Sequence, residues 1–450
     1  MPVKAWESYP VLKPGHEIHL NPIGGTLFVH GVPVKVSPGV TAFIANCDGR
    51  HKLGETVPKT WAGDWEDLRL VGFAATAARE GWIELLPAPS ETVPRVTGSK
   101  IAFFPPHMSV ELTEGCNLRC DYCYRESDAT KLSHMPTDAL LRLLEKLWGA
   151  GLRSVELTGG EPLLHEDFRR ILTLCAEKFD MVGVLTNGTR LSDDLAQQFA
   201  GMGEKLMYSV SLDASTPEVH DARRGVKGAW ARTTRNVARL AALGVGIRVS
   251  MVVDERNFHD LENTLLLAKS LGARAFSYSP LLPLGRGREM FRTTWNIPAN
   301  EVSAKESEIA SRYKGFLGVL SEETVCEVEG EDGCGAGYRT FAMDPWGNVR
   351  PCPTFGAQEL VFGNLMRQSM EEVFSHPAVF AMRQLRTPSP LFCSKCRHSD
   401  FCRYCSLRGL HASEDEPACN WRKQPAFAEL ARAGLGTAAT AAADRRIHIQ

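Results

Sequence analysis

Six short apolar runs recur through the middle of the chain, and helical patterns separate them. The runs lie at 107–113, 154–159, 181–188, 205–213, 246–253 and 274–282. Segments between them, such as TDALLRLLEKLWGAG and ARTTRNVARLAALG, repeat apolar residues at the spacing of one helix face. Near-continuous apolar strands that alternate with helices are typical of a parallel sheet covered by helices. Six such units predict an α/β fold with a partial (β/α)6 barrel, in which reactive groups gather at the strand ends.

The regions on either side of this pattern differ from it. The N-terminal region carries the strand-like runs EIHL, TLFVHG and VPVKVS, then two helical stretches and GWIELL. The segment PAPSETVPRVTGSK has the composition of a linker. Beyond the barrel the chain is rich in loops and cysteine, and it ends in an alanine-rich stretch. We predict an α+β domain over 1–90, a linker over 91–106, the barrel over 107–300, a cysteine-rich domain over 301–425 and a tail over 426–450.

The overall composition is that of a globular protein, and it gives no sign of a nucleic-acid or membrane partner. The chain has 450 residues, of which 44% are hydrophobic and 23% charged, as is usual for globular proteins. A net charge of −2 without a long basic run gives no electrostatic support for a nucleic-acid partner. The N-terminus lacks the apolar core of a signal peptide, and no run reaches the length of a membrane helix. We therefore expect a cytoplasmic protein without a membrane partner.

Cysteine is the anomaly in this composition. Eleven of the 13 cysteines fall into two groups, at 116–123 and 326–419, whereas Cys47 and Cys175 stand alone. Because a reducing compartment disfavours disulfides, grouped thiols are interpreted first as metal ligands. Cys175 lies on an apolar helical face and is interpreted as a buried structural thiol.

The first group directly follows the first strand, in EGCNLRCDYCY. Cys116, Cys120 and Cys123 form a CxxxCxxC arrangement that can hold three corners of a [4Fe–4S] cube. Because such clusters normally take four thiolates, this arrangement would leave one iron open to an outside ligand. The spacing alone also fits a zinc site whose fourth ligand lies elsewhere.

Further motifs remove most of that ambiguity. CxxxCxxC with Tyr122 before its last cysteine resembles the defining loop of radical S-adenosylmethionine (SAM) enzymes. The other motifs end successive strands or follow them, and they are Gly159-Gly160-Glu161-Pro162, Thr186-Asn187-Gly188, Ser209–Asp213 and Arg224 in HDARRG. The resemblance covers about 105–290 and implies a reduced cluster that cleaves SAM, so that a 5′-deoxyadenosyl radical abstracts a substrate hydrogen.

The same resemblance implies a set of SAM contacts. Glu161 and the backbone of Gly159 and Gly160 would receive the amino group, and Arg224 would bind the carboxylate. Asn187 is a further implied contact, Ser211 and Asp213 would lie near the ribose or carboxylate end, and Tyr122 and Leu282 would lie beside the adenine. Two alternatives stay open: Arg224 could be a surface cation beside Arg223, and Asp213 could only cap the following helix.

The second group contains eight thiols, enough for two more [4Fe–4S] clusters. The CxxC…CxxC portion alone could equally be a four-cysteine zinc site. The whole order, with GNVRPC before it, resembles the SPASM extension of radical SAM enzymes that modify peptides and proteins. The resemblance assigns auxiliary cluster I to Cys326, Cys334, Cys352 and Cys405, and auxiliary cluster II to Cys393, Cys396, Cys402 and Cys419. Two residues separate Cys402 from Cys405 where three are typical, which leaves the role of Cys405 less secure.

Residues 12–88 resemble the small leader-peptide-recognition (PqqD-like) domain first known from pyrroloquinoline quinone biosynthesis. The resemblance lies in GTLFVHGVPVKVSPGVTAFIANCDGRHKLGETV and the closing EGWIELL. It implies a three-stranded sheet with a winged-helix-like bundle that captures an extended peptide at a sheet edge. A purely structural role is the alternative, because fold does not fix function.

Together these resemblances predict an enzyme that abstracts hydrogen from a ribosomally made precursor peptide and forms a C–C, C–O or thioether crosslink. They also imply three [4Fe–4S] clusters and a one-electron donor such as a flavodoxin or ferredoxin. The alternatives are oxidation of a protein side chain, as in sulfatase maturation, and decarboxylation, epimerisation or a small-molecule substrate. A zinc-binding or electron-transfer protein is disfavoured, because a passive carrier needs no SAM pocket.

Overall fold

A computed structural model describes residues 6–60, 67–294, 299–317, 335–356 and 360–433, except 395, 397, 403, 404, 415 and 417. The chain divides into two compact units. The first contains residues up to 105 together with 146–151 and 370–375, and the second contains the rest. Among the described helices, none has both the length and the apolar character needed to cross a bilayer.

The first unit contains two small sheets and three consecutive helices. Its strands are β1 (Tyr9–Leu12), β2 (His16–Asn21), β3 (Gly24–Val29), β4 (Val32–Val36), β5 (Ile83–Leu86) and β6 (Val96–Gly98). Its consecutive helices are α1 (Pro38–Ala45), α2 (Leu53–Thr60) and α3 (Asp67–Arg79). β1 pairs with β5, and the larger sheet has the order β4-β3-β2-β6.

The larger sheet of this unit closes over a small apolar core. Ile18 of β2 and Leu27 of β3 pair across the ladder and are both fully buried, with Phe43 and Ile44 of α1 packed against them. Helix α1 begins at Ser37, whose hydroxyl accepts from the Val40 amide, and Pro38 follows at the first helical position. Strand β4 borders the sheet, and its residues are mostly exposed.

The second unit is built on a nine-stranded sheet. Its strands are β7 (His107–Glu111), β8 (Ser154–Thr158), β9 (Met181–Thr186), β10 (Leu206–Ser211), β11 (Ile247–Val253), β12 (Ala275–Pro280), β13 (Thr340–Met343), β14 (Asn348–Arg350) and β15 (Gly363–Asn364). Their order is β12-β11-β10-β9-β8-β7-β13-β14-β15. The run from β12 to β13 is parallel, and β14 and β15 are antiparallel additions. The six predicted strands and the parallel α/β core are therefore confirmed.

Helices follow the parallel strands as the sequence pattern predicts. The helices between β7 and β13 are α4 (Thr137–Gly149), α5 (Phe168–Lys178), α6 (Asp193–Gly201), α7 (Pro217–Arg224), α8 (Ala229–Ala242), α9 (Leu261–Ser270), α10 (Gly287–Thr294) and α11 (Ala299–Tyr313). The helices after β15 are α12 (Met370–Phe374), α13 (Pro377–Gln384), α14 (Pro390–Cys393), α15 (Ser399–Cys402), α16 (Ser406–Glu414) and α17 (Ala426–Arg432). Helix α8 buries Thr233, Val237 and Leu240, one face at a spacing of three to four residues. Helix α7 ends at Gly225 with φ of 72°, a conformation that favours glycine.

The two faces of the parallel strands differ in polarity. On β11, Ile247, Val249 and Met251 are almost fully buried, as expected for side chains that pack beneath helices. The alternate positions carry Arg248, Ser250 and Val252. Because side chains alternate across a strand, the second set faces the lumen of the partial barrel.

Candidate active site and iron–sulfur centres

The cysteine loop that follows β7 lies against the backbone that follows β8. The Gly160 amide donates to the Thr113 carbonyl at 2.8 Å, and the Glu161 amide donates to the Gly115 carbonyl at 2.8 Å. A Cβ at Gly160 would lie 2.2 Å from the Gly115 oxygen, and Gly159 has φ of 131°. Only glycine tolerates both conditions, so the pair is required for the loop to approach so closely.

Nitrogen donors surround the loop sulfurs. Cys116 Sγ is approached by the Leu118 amide at 3.4 Å and by Asn187 Nδ2 at 3.8 Å, and Cys120 Sγ by Arg224 Nη1 at 3.6 Å. Burial, and then the charge of Glu161, raise the pKa of Cys116 to about 12. Thiolates held this way need cationic partners, and N–H donors to sulfur are typical of iron–sulfur sites. The donor set therefore fits a [4Fe–4S] cluster.

An ion network lies beside the loop, at the end of β10. Asp213 is fully buried, with Arg224 Nε 2.9 Å from its Oδ2, although that N–H does not point at the oxygen. Tyr122 donates its hydroxyl to the same carboxylate, and its ring lies under both Arg223 and Arg224. Although burial alone would raise it, the two arginines hold the pKa of Asp213 below its usual value. Val252 also donates its amide to Asp213.

The sequence left open whether Arg224 is a surface cation and whether Asp213 only caps a helix, and this network answers both questions. Arg224 is buried rather than a surface cation, and Arg223 is buried beside it with an ion pair to Asp254. The cap position of α7 is Thr216, so Asp213 does not cap that helix. Instead, Asp213 joins β10, β11 and α7 to the aromatic residue of the cysteine loop.

Glu161 joins the ends of β8 and β9. Its carboxylate accepts hydrogen bonds from Thr186 Oγ1 at 2.7 Å, the Asn187 amide at 2.8 Å and the Leu163 amide at 3.1 Å. A carboxylate has about four acceptor positions, so three donors leave one position open. Asn187 in turn donates to Asn117 of the cysteine loop at 3.0 Å. Glu161 and Asn187 therefore both position the cysteine loop.

Ser211 and Leu282 lie at the ends of two further strands, β10 and β12. Ser211 ends β10 and is half-buried, opposite Ser250 of β11. Leu282 follows β12, and a Cβ at Gly287 would lie 2.7 Å from the Leu282 carbonyl and 3.2 Å from the Tyr122 carbonyl. The backbone carbonyls of Leu282 and Tyr122 therefore both lie close to Gly287, and the predicted contact of these two residues with adenine stays a prediction.

Arg286 is a component of the site that sequence reasoning missed. Its Nε donates to the Cys120 carbonyl at 2.7 Å, and its Nη2 donates to the Ser127 carbonyl at 2.8 Å. Its amide donates to the Cys123 carbonyl at 3.1 Å. One side chain therefore ties the middle of the cysteine loop and the residues just after it to the segment after β12. The signal was the GRGR run, which places an arginine between two glycines that approach the loop closely.

Arg286→Ala is expected to lower retention of the SAM cluster and SAM cleavage by about 10–100-fold, as loss of an outer-shell partner typically does. The measurement is iron loss to a chelator, followed together with 5′-deoxyadenosine formation. Arg288→Ala removes an exposed arginine two residues away and is the matched control. Equal behaviour of the two variants would contradict the anchoring role.

A buried triad joins the same loop to β14. Glu111, at the end of β7, is paired with Arg125 and accepts from Arg350 Nη2 at 2.7 Å. Arg350 also donates to the Phe355 carbonyl and lies two residues before Cys352. Because removing one partner of a buried ion pair is costly, this triad fixes the GNVRPC segment against the barrel. No motif in the sequence pointed to Glu111.

Four of the C-terminal thiols line one cavity. They are Cys393, Cys396, Cys402 and Cys419. Burial, and then neighbouring thiols of the same group, raise the pKa of Cys402 to about 12. This convergence fits the donor set expected for auxiliary cluster II. Cys405 is not among the residues that line this cavity.

The donor set for auxiliary cluster I is described only in part. Cys352 lies just after β14, whereas Cys326 and Cys334 lie outside the described residues. Within the described ranges, all cysteines are free thiols, and no three His, Cys, Asp or Glu side chains are arranged to hold a single metal ion. Cys47 and Cys175 are fully buried, and Cys175 has the structural position predicted for it.

Comparisons with known proteins agree with this geometry. The profile of the Radical SAM superfamily matches residues 110–268, and that of the SPASM iron–sulfur cluster-binding domain matches 334–397. The subtilosin biosynthesis protein AlbA of Bacillus subtilis is 31% identical over 333 residues, which are 73% of each chain. The chain belongs to the radical SAM superfamily. As a radical SAM enzyme it uses a [4Fe–4S] cluster and SAM, and its SPASM domain binds additional iron–sulfur clusters.

Two other similarities bear on this radical SAM enzyme. An AdoMet-dependent heme synthase of Methanosarcina barkeri is 29% identical over 69% of this chain and 95% of its own. The crystal structure of Streptococcus suis SuiB bound to precursor peptide SuiA superposes with a TM-score of 0.65 at 14% identity. That match covers 93% of this chain and 99% of SuiB, so the shared fold includes most of the N-terminal region.

Proposed function

We propose that this radical SAM enzyme matures a ribosomally made precursor peptide by forming an intramolecular crosslink. The observation that carries the proposal is an N-terminal unit with an accessible sheet edge in the same chain as a radical SAM core and a SPASM domain. AlbA is named for biosynthesis of a bacteriocin, and SuiB was solved with its precursor peptide. A cytoplasmic location, where such peptides are made, accords with this function.

The proposed cofactor contacts are supported by the hydrogen bonds and ion pairs around the cysteine loop. We assign the SAM cluster to Cys116, Cys120 and Cys123 and the amino-group contact to the Gly159–Glu161 segment. When bound, the cluster and SAM supply the one-electron chemistry that abstracts hydrogen from the substrate. Arg224 balances the charge of Asp213 and of the Cys120 thiolate. Its guanidinium has further N–H groups that can donate hydrogen bonds to the SAM carboxylate. Asp213 and Asn187 hold the surrounding backbone, while Ser211, Tyr122 and Leu282 border the nucleoside.

The C-terminal thiols are assigned to two auxiliary clusters. Cys393, Cys396, Cys402 and Cys419 would hold auxiliary cluster II, since they line one cavity. Cys352 and Cys405, with Cys326 and Cys334, would hold auxiliary cluster I. With four thiolates each, neither cluster needs an open iron. They would then relay electrons or position the substrate, with a flavodoxin or ferredoxin as the external donor.

Anaerobic turnover tests the proposed reaction. The holoenzyme is reduced and mixed with SAM and the peptide encoded beside its gene, and mass spectrometry follows both products. Loss of two hydrogens from the peptide, matched by 5′-deoxyadenosine, is expected for a crosslink, and fragmentation locates it. Deoxyadenosine without any change in the peptide would leave the radical chemistry intact and overturn the peptide proposal.

The edge strand β4 is the proposed docking site for the leader of that peptide. β4 borders the sheet, and among the described residues no strand pairs with its outer side. Pro33, which cannot donate, is tolerated on such an edge strand. The apolar side chain of Val32 is 63% exposed on this strand, next to backbone groups that pair with no other described strand on the outer side. Addition of an extended peptide would cover both features.

Val32→Asp is expected to weaken leader binding about tenfold, a loss of about 1.4 kcal/mol. It should leave SAM cleavage without peptide unchanged. Fluorescence anisotropy of the labelled peptide on the full chain measures the affinity. Val93→Asp, at a 79% exposed site outside the sheet, is the matched control. Equal affinities for both variants would remove β4 as the docking edge.

A small-molecule substrate is the second candidate, because an AdoMet-dependent heme synthase shares 29% identity with this chain. A tetrapyrrole would not need the N-terminal sheet edge. The two candidates separate in the turnover assay. A porphyrin converted with matching deoxyadenosine, while the peptide stays unchanged, would select the small molecule.

A further inference from the structure

The lumen of the partial barrel is polar and accessible. Helix-facing positions of its strands are nearly all fully buried, whereas many lumen-facing positions keep partial exposure. The partly exposed lumen positions are His107, Ser154, Glu156, Leu185, Met207, Ser211, Ser250, Val252, Ala275, Ser277 and Ser279. A face this rich in serine and charge is suited to a polar ligand rather than to packing.

One buried cation is fixed in this lumen. Arg248, the second residue of β11, is 8% exposed. Its Nε donates to Ser209 Oγ at 3.1 Å, and Ser209 lies 3.2 Å from Ser250, which lies 2.9 Å from Ser277. This row of hydroxyls crosses three strands and orients the guanidinium. Among the described residues, its Nη1 is buried and has no hydrogen-bond partner.

No carboxylate of the described chain neutralises this arginine by direct contact. The charge of Glu156 raises the pKa of Arg248, but among the described residues the two side chains form no direct ion pair. Glu156 accepts from Ser109 at 2.8 Å and lies 3.6 Å from His107 Nε2. Burial lowers the pKa of Arg248. A buried guanidinium with an unused donor is costly unless an anion completes it.

The position of Arg248 separates it from the SAM site. It precedes Val252, whose amide contacts Asp213, by four residues of one strand, which corresponds to roughly 13 Å. The SAM contacts lie at the carboxyl ends of the strands, and Arg248 lies near the opposite end of the lumen. A ligand of Arg248 is therefore distinct from the methionine carboxylate of SAM.

We propose that Arg248 binds a carboxylate of the substrate that occupies the lumen, either an acidic side chain or the C-terminal carboxylate of the core peptide. This inference deepens the proposed function and rests on it for the identity of the substrate. The unused Nη1 and the Ser209–Ser250–Ser277 row present donors to the anion. Arg248 thereby sets the depth to which the peptide enters, which is a specificity role and not a step in the chemistry.

A first experiment tests the anion site without the peptide. N-acetylglutamate and its uncharged analogue N-acetylglutamine are titrated against the holoenzyme with SAM by saturation-transfer NMR. The acid is expected to bind and the amide not. Arg248→Met should abolish binding, and Arg274→Gln, at an exposed arginine, should leave it unchanged. Equal binding of acid and amide, binding to neither, or retained acid binding by Arg248→Met would overturn the site.

Thermal unfolding of the same variants separates a ligand site from a structural one. If Arg248 serves to bind a ligand, its unsatisfied buried donor destabilises the protein when the ligand is absent. Arg248→Met removes that donor and is therefore expected to raise the melting temperature. A clear fall in melting temperature would assign Arg248 to the fold instead. Arg248→Lys keeps the charge and should retain part of the acid binding.

The second experiment uses the precursor peptide. Arg248→Gln is expected to lower kcat/KM for the peptide at least about 30-fold, without changing SAM cleavage in its absence. Amidating the C-terminus, or replacing each acidic residue by its amide, identifies the carboxylate. Removing that carboxylate should lower kcat/KM of the wild-type enzyme by the same factor. It should not lower kcat/KM of Arg248→Gln any further. If every carboxylate change lowers kcat/KM equally in the wild-type enzyme and in Arg248→Gln, the inference fails. If the wild-type enzyme never alters the peptide, the proposed function fails. In that case the first experiment still shows whether Arg248 binds a carboxylate.

Discussion

Replacing Cys116, Cys120 and Cys123 together by alanine is expected to abolish SAM cleavage, a loss well above the ~100-fold that outer-shell changes cause. These thiols share one loop, with N–H donors directed at two of the sulfurs. Iron content should fall by about four atoms from about twelve, since each [4Fe–4S] cluster contributes four. Iron analysis and deoxyadenosine formation under reducing, anaerobic conditions measure both effects.

The eight irons that remain serve as an internal control for folding. The cavity that Cys393, Cys396, Cys402 and Cys419 line has no wall in the cysteine loop. Cys175→Ala, at a fully buried thiol outside both groups, should leave iron content and activity unchanged. Zinc instead of iron in the wild-type chain, or SAM cleavage that survives in the triple variant, would contradict the assignment.

The sequence predicted those features of the fold that depend on local patterns. The six apolar runs correspond to β7–β12, six of the seven described parallel strands of the nine-stranded sheet, because the face of each strand that packs beneath the helices is apolar and buried. The ends of those strands carried the recognisable motifs, such as Gly159–Pro162. Glycine was informative there because the close approach of the cysteine loop excludes every other residue. The resemblance to the SPASM extension also grouped Cys393, Cys396, Cys402 and Cys419, and these four thiols line one cavity.

Features that depend on contacts between distant segments were not predictable. Arg286 reaches the cysteine loop across more than 150 residues, and Glu111 pairs with Arg350 across 239. A single arginine or glutamate carries no periodic signal, so only the folded sheet reveals its partner. Arg248 lies inside an apolar run, and the run alone does not show which face of the strand it occupies. Its lumen-facing position became apparent only from the register of β10 and β11.

Asp213→Asn is expected to destabilise the second unit by about 3–5 kcal/mol, the usual effect of removing one partner of a buried ion pair. Arg224 and Arg223 would lose the carboxylate that compensates their charge, and Tyr122 would lose a charged acceptor. SAM cleavage should fall as well, because the same arginines border the proposed SAM carboxylate site. Urea denaturation of the reconstituted enzyme measures the loss.

The pH dependence of that loss tests its cause. The pKa of Asp213 is lowered in the folded protein, so its stabilising contribution is complete above the unfolded value near 4 and is lost as pH falls through the folded value. The stability difference between wild type and Asp213→Asn should therefore be constant near neutral pH and shrink in acid. Asp193→Asn, at a 91% exposed side chain paired with Arg239, should cost at most about 0.5 kcal/mol at any pH. If the Asp213→Asn difference did not shrink in acid, shape rather than charge would explain the role of this residue.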